Sequence, residues 1–106
     1  MTGRLPLVRH EHALADQLLA LMPQGSEICG FERKAWHSAT FAGQILTIKI
    51  ASNGTSDQAL LRAAADQLPQ HEFTLPRHFV GQMDAQIVDN DGGDAAIQIA
   101  ALVIAE

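Results

Sequence analysis

Hydrophobic and polar positions along the chain repeat one order of elements twice: a stretch with helical spacing is followed by two stretches that alternate like strands. The first repetition covers residues 6–51 and the second covers residues 55–105. The two repetitions share the order of their elements but not their residues. The pattern therefore predicts one domain over residues 1–106 with the element order αββαββ.

Apolar residues three and four positions apart predict two helices, one over residues 6–22 and one over residues 56–68. A proline follows the predicted end of each helix, where it cannot continue the helical hydrogen bonds. Thr55-Ser56-Asp57-Gln58 has the composition of a capping box, which marks the start of the second helix. Glu11 is the polar exception in the apolar stripe of the first helix.

Alternation predicts four strands, over residues 28–41, 45–51, 78–89 and 95–105. We expect Ala42-Gly43-Gln44 to form the first hairpin turn, since glycine tolerates a positive φ, and Asn90-Asp91-Gly92-Gly93 to form the second. The first strand is long, so we expect a bulge near Gly30. The fourth strand is apolar on both faces after Gln98, which favours an interior position in the sheet.

These elements predict an α+β fold, with a four-stranded antiparallel sheet of order 1-2-4-3 and both helices on one face. This order corresponds to a ferredoxin-like fold whose first strand has moved to the C-terminus, and a meander of order 1-2-3-4 is the alternative. Either order leaves the second face of the sheet uncovered, with apolar residues of the fourth strand on it. The polar residues expected on that face are Thr47, Lys49, Gln82, Asp84 and Gln86. A mixed face of this kind is a candidate homodimer interface or the wall of a small-molecule cavity.

Composition and charge exclude several classes of protein. Seven lysines and arginines stand against twelve aspartates and glutamates, and the net charge of −5 repels the phosphate backbone of nucleic acids. No apolar run approaches the ~20 residues of a membrane-spanning helix. Charged residues interrupt any signal-peptide core near the N-terminus, and the single cysteine, Cys29, fits a reducing compartment, so we expect a cytoplasmic protein.

The sequence contains no complete catalytic, nucleotide or metal motif, so we expect no cofactor. Residues 89–94 resemble a calcium loop, but Asp94 and Ala100 stand where an EF-hand needs glycine and glutamate. Trp36 and Cys29 are expected in the core. Alternation places His37 on the opposite face of the strand from Trp36.

The five histidines supply most of the candidate site residues. His10 and His12 diverge by about 200° around a helix, so we expect them on the helix surface rather than on one metal ion. The candidates for proton transfer are titratable residues on or near strands, namely His37, His78 and Asp84. The candidates for a metal site around the loop before the third strand are His71, Glu72 and His78.

Three functions remain open after these observations. The best supported is a non-catalytic domain that acts through association, as a homodimer or with another protein. One alternative is a small cofactor-free enzyme or small-molecule binder, with its cavity between sheet and helices or across a dimer. The other alternative is a metal-binding protein.

Overall fold

The computed structural model describes residues 7–22, 25–52, 58–89 and 95–106. In chain order its elements are helix α1 (Arg9–Ala20), strands β1 (Ser26–His37) and β2 (Ala42–Ser52), helix α2 (Gln58–Gln67), a short 3-10 helix (Leu68–Gln70), and strands β3 (His78–Asp89) and β4 (Ala95–Ala105). The strands form one antiparallel sheet in the order β1-β2-β4-β3. The predicted α+β class and strand order are therefore confirmed, and the meander alternative is wrong.

The interior position of β4 follows from its composition. Its side chains are aliphatic on both faces, and Ile97, Ile99 and Ala101 are fully buried. Because β4 is paired with β2 on one side and β3 on the other, its backbone groups are satisfied without a solvent-facing edge. At the rim of the sheet this strand would expose one edge of unpaired backbone groups, together with more of its aliphatic side chains, to water.

Both helices cover the same face of the sheet. Alternate residues of β2 and β4 form the floor of the core on that face; these are Leu46, Ile48, Ile50, Ile97, Ile99 and Val103. Leu14 and Leu18 of α1 and Leu61 of α2 belong to the same cluster and are 0% exposed. Burying one such side chain contributes about 1.5–3 kcal/mol, so this shared core holds both helices to the sheet.

The turn between β1 and β2 lies earlier in the chain than predicted. The Ser38 N–H donates to the Phe41 carbonyl at 2.8 Å, and the Ser38 Oγ accepts from the Phe41 N–H at 3.0 Å. Residues 42–44, which the sequence predicted as the turn, are instead paired residues of β2. The serine side chain organises this turn, so a glycine with positive φ is not required.

Gly43 is required for a different reason, which is the close approach of β2 to β4. A β-carbon at this position would lie 2.2 Å from the Val103 carbonyl oxygen and 3.1 Å from the Ile104 Cα. Both atoms belong to the backbone, so they cannot move aside as the end of a side chain can. Any residue other than glycine must therefore push two central strands apart.

Helix α1 begins at Arg9 because the chain is capped just before it. Val8 is extended, and its backbone N–H donates to Glu11 Oε1 at 3.0 Å. The carboxylate thus satisfies an amide at the helix start, where negative charge is favoured by the helix dipole. Residues 55–57 of the predicted capping box of α2 and the predicted turn at residues 90–93 lie outside the described residues.

The predicted bulge near Gly30 is confirmed, since the pairing of β1 with β2 shifts between Ile28 and Gly30. Cys29 is the additional residue at the bulge and is exposed, so its predicted place in the core is wrong. A bulged residue leaves the alternation of the strand, and for this reason simple periodicity misplaces it. A second shift occurs in β3 between Val80 and Gln82.

Candidate functional site

The face of the sheet opposite the helices, here called the open face, is organised in five rows that cross all four strands. Each row takes one outward residue from β1, β2, β4 and β3, in that order. Starting at the β1–β2 turn, the register gives Trp36–Gly43–Ile104–Phe79, Lys34–Ile45–Leu102–Gln82, Glu32–Thr47–Ala100–Asp84, Gly30–Lys49–Gln98–Gln86 and Glu27–Ala51–Ala96–Val88. The polar residues predicted for the uncovered face therefore lie on it together.

The large apolar side chains of the open face are concentrated in its first two rows. Trp36, Ile45 and Leu102 are half-buried, and Phe79 is 38% exposed. The third and fourth rows carry mostly polar or small residues. Soluble chains seldom leave an aromatic and aliphatic patch of this kind uncovered without a binding role.

A shallow pocket of about 260 Å³ lies within this apolar patch. Its lining residues are Trp36, Ile45, Gln82, Asp84, Ala100 and Leu102. Asp84 is the only charged residue among them. The volume is below the ~300–1,000 Å³ of typical small-molecule sites, so the pocket suits one side chain better than a whole ligand.

The charge of the open face differs from that of the whole chain. Lys34 and Lys49, the only two lysines of the sequence, both lie on this face. They stand against Glu27, Glu32 and Asp84, which leaves the five rows with a charge near −1, whereas the chain carries −5. Most of the net negative charge therefore lies elsewhere, and this face repels a second acidic surface least.

On the opposite side, the helix side, a buried carboxylate joins α1 to β1. Glu11 is 0% exposed, and Arg33 donates to it twice, from Nε to Oε2 at 2.9 Å and from Nη2 to Oε1 at 2.6 Å. The Arg33 guanidinium also lies 5.2 Å from the centre of the Phe31 ring. This two-point pairing fixes the start of α1 over the edge strand.

The environment of Glu11 changes its protonation. Burial raises the pKa of Glu11, but the Arg33 hydrogen bonds, the Val8 N–H and the nearby charges of Arg33 and His10 together outweigh burial, so its pKa lies below the ordinary value of a glutamate. The paired carboxylate in turn raises the pKa of Arg33. Glu11 is therefore a structural anion, held by its partners, rather than a proton donor near neutral pH.

Two histidines stack on the helix side, where α1 meets β3. The rings of His10 on α1 and His78 on β3 are nearly parallel, with centroids 3.7 Å apart. His10 Nε2 lies 3.2 Å from Gln44 Oε1, and His78 Nδ1 lies 2.8 Å from the Pro76 carbonyl. The Pro76 carbonyl can only accept, so His78 Nδ1 is the donor in the second contact. His10 is thus half-buried against β3, not on the free helix surface that the sequence predicted.

The three residues predicted for proton transfer do not lie together. Asp84 is on the open face, where it lines the pocket. His78 lies on the helix side, stacked on His10, and His37 is exposed on the same side at the end of edge strand β1. His37 and His78 occupy the two outer strands, about 14 Å apart at ~4.8 Å per strand spacing.

The residues predicted for a metal site are also separated. His71 and Glu72 line a pocket with residues 79–83, and the edge of the His71 ring contacts Phe73. His78 is directed to His10 and Pro76 instead. Among the residues that the structure describes, no three His, Cys, Asp or Glu side chains are placed to hold one metal ion.

Sequence reasoning missed two features of these sites. It placed Trp36 in the core, whereas the ring lies on the open face, because alternation gives two faces but does not say which one the helices cover. It noted Glu11 only as an exception in an apolar stripe. A carboxylate inside such a stripe needs a cation, and this is the signal that indicates a buried partner such as Arg33.

The chain was compared with protein-family models, with curated proteins and with solved structures, and none of the three comparisons gave a match. None of the described helices has both the length and the apolar composition to cross a membrane.

Proposed function

We propose that this protein is a non-catalytic association domain, and that its open face pairs with the open face of a second copy to form a homodimer. The observation that carries this proposal is the uncovered patch of Trp36, Ile45 and Leu102 beside the exposed ring of Phe79. Removing apolar surface of this kind from water contributes roughly 25 cal/mol per Å². A second copy presents the same patch, so a two-fold dimer buries the apolar surface of both copies in one interface.

The dimensions of the face support a stable dimer. Four strands at ~4.8 Å spacing and ~11 residues at ~3.3 Å rise give roughly 700 Å² per copy. A dimer that covers the whole face buries roughly 1,400 Å², which is within the standard range of specific interfaces. Contact over only half of the face would fall below the ~1,000 Å² expected of a stable complex.

The enzyme alternative has less support than the dimer, because its three candidate residues are divided between the two sides of the sheet. His37 and His78 lie on that side and Asp84 lies on the other, so no two of them share a pocket. The open-face pocket that contains Asp84 opens directly to solvent across an apolar patch. This arrangement suits a contact surface better than the enclosed and dry site that acid–base catalysis requires.

Sedimentation velocity over protein concentrations from about 1 to 100 μM tests the proposal. This range covers dimers with a Kd in the micromolar range, which corresponds to a binding free energy of roughly −8 kcal/mol. We expect wild-type protein to pass from monomer to dimer with rising concentration. Trp36→Ser should shift this transition to at least about tenfold higher concentration, because buried tryptophans commonly dominate interfaces.

A matched control removes an exposed apolar side chain from the other layer. Val8 is 51% exposed near the start of α1, so Val8→Ser should leave the dimer unchanged. Trp36 is the only tryptophan, and its emission should shift to shorter wavelength as the dimer forms. A wild-type chain that stays monomeric across the whole range contradicts the proposed function.

A further inference from the structure

The five rows of the open face restrict how two copies can stack. A two-fold axis parallel to the strands sets each row against the same row of the second copy, so that β1 lies over β3 and β2 lies over β4. A two-fold axis across the strands sets the first row against the fifth and the second row against the fourth. Sheets pack face to face with their strands either within about 30° of each other or near 90°, and a 90° crossing overlaps only part of a face of ~19 Å by ~36 Å. These two arrangements therefore cover the choices for full overlap.

Apolar matching favours the axis parallel to the strands. In that arrangement Trp36 lies over Phe79 of the second copy, and Ile45 lies over Leu102 of the second copy. The other axis sets Ile45 against Lys49, and burying an ammonium group on an aliphatic side chain is costly without a partner. Sliding the copies to restore apolar contact about that axis overlaps only half of each face, which leaves roughly 700 Å² in total.

We propose, on the basis of the dimer proposed above, that Lys34 of each copy enters the open-face pocket of the other copy and pairs with Asp84 there. The parallel axis places Lys34 directly over Gln82, in the second row of β3. Asp84 stands one row farther along the same strand, about 7 Å away, and lysine has a long flexible stem that spans this offset. The pair forms twice, because the two-fold axis repeats it.

The pocket has the chemistry to receive a lysine side chain. Ile45, Leu102 and Ala100 provide an apolar surface for the methylene stem. Asp84 supplies the only charge in the lining, and the Trp36 ring provides a face that attracts cations. Glu32 lies in the same row as Asp84, and the axis brings these two carboxylates together at the rim of the interface. A lysine between them therefore offsets a repulsion as well as forming a pair.

A charge-swap experiment tests this arrangement. The dimer dissociation constant is measured by sedimentation equilibrium for the wild type, for Lys34→Glu, for Asp84→Lys and for the double variant. Lys34→Glu should weaken the dimer by at least about tenfold, since two exposed pairs of up to ~1 kcal/mol each turn repulsive. Asp84→Lys should weaken it less, because the new ammonium group meets Lys34 of the second copy but also lies opposite its Glu32. The double variant should return to within about threefold of the wild type, because the pair is restored with its charges exchanged.

Lys49 provides the matched control, since it lies on the same face but over Gln98 of the second copy in this arrangement. Lys49→Glu combined with Asp84→Lys should show no recovery beyond the two separate effects. All of these side chains are at least partly exposed, and thermal unfolding followed by circular dichroism checks that each variant remains folded.

The outcomes separate the arrangement from the dimer itself. A wild-type dimer that Lys34→Glu leaves unchanged, or a loss in Lys34→Glu that the double variant does not restore, overturns the Lys34–Asp84 pairing while the proposed function stands. Recovery in the double variant together with a weaker effect at high salt supports the pairing, because exposed pairs are screened by ions. A monomeric wild type overturns both proposals.

Discussion

Replacing Gly43 by alanine tests the close approach of the two central strands. The added β-carbon would lie 2.2 Å from the Val103 carbonyl oxygen. Ordinary non-bonded contacts are about 3.5 Å or more, so the backbones of β2 and β4 must separate by roughly 1 Å. Overpacking of this kind costs about 1–3 kcal/mol, and each ladder hydrogen bond that is lost adds ~1 kcal/mol.

The expected loss of stability is therefore about 2–4 kcal/mol, which corresponds to a fall in Tm of roughly 10–25 °C for a domain of this size. Urea unfolding followed by circular dichroism measures it directly. Two other glycines give a graded control. A β-carbon at Gly81 would meet side-chain atoms alone, with the Ile104 Cδ1 nearest at 2.9 Å. A β-carbon at Gly30 would make an ordinary contact of 3.4 Å with the Lys49 Cβ.

The variants should consequently rank Gly43→Ala as most destabilising, Gly81→Ala as intermediate and Gly30→Ala as nearly neutral. The ranking also separates two roles of glycine. Glycine can be needed for its backbone freedom or for its lack of a side chain. Residue 43 has an extended conformation that alanine also adopts, so Gly43→Ala would be tolerated if backbone freedom were the only requirement. Equal losses for Gly43→Ala and Gly30→Ala would refute the close-approach argument.

Two further predictions concern single side chains. Glu11 has a folded-state pKa below 4.5, so its contribution to stability is present above about pH 4.5 and is lost as the pH falls through the lower folded value. Glu11→Gln should therefore be less stable than the wild type at pH 7. When the free energy of unfolding is measured over a series of pH values, the difference between the two proteins should shrink below about pH 4.5. A constant difference at all pH values would contradict this. Cys29 is exposed at the β1 bulge, so a thiol reagent should modify native protein as fast as it modifies protein in urea, and protection in the native state would refute this placement.

The two sides of the sheet have different roles. On the helix side, fully buried aliphatic residues and the Glu11–Arg33 pair hold α1 and α2 in place. On the open face, partly exposed apolar residues surround a small pocket with one carboxylate. The first side explains why the domain folds, and the second is the surface from which we infer association.

The sequence alone determined the class of fold. Periodicity located all four strands, with β3 and β4 at their observed bounds, and the continuous aliphatic pattern of β4 placed it inside the sheet. These features are local or nearly local, because side-chain period and strand composition follow directly from the backbone geometry of each element. The bulge near Gly30 was also visible, since a long strand must bend.

The tertiary structure decided everything that depends on which residues meet across the sheet. Alternation alone did not say which face the helices cover, so Trp36 was assigned to the core and its role on the open face was missed. Glu11 and Arg33 are 22 residues apart in sequence, and only the packing of α1 over β1 joins them. The same holds for Gly43, whose function depends on the carbonyl oxygen of Val103 on a neighbouring strand. Contacts between residues far apart in the chain are set by the packing of whole elements, and no local pattern encodes them.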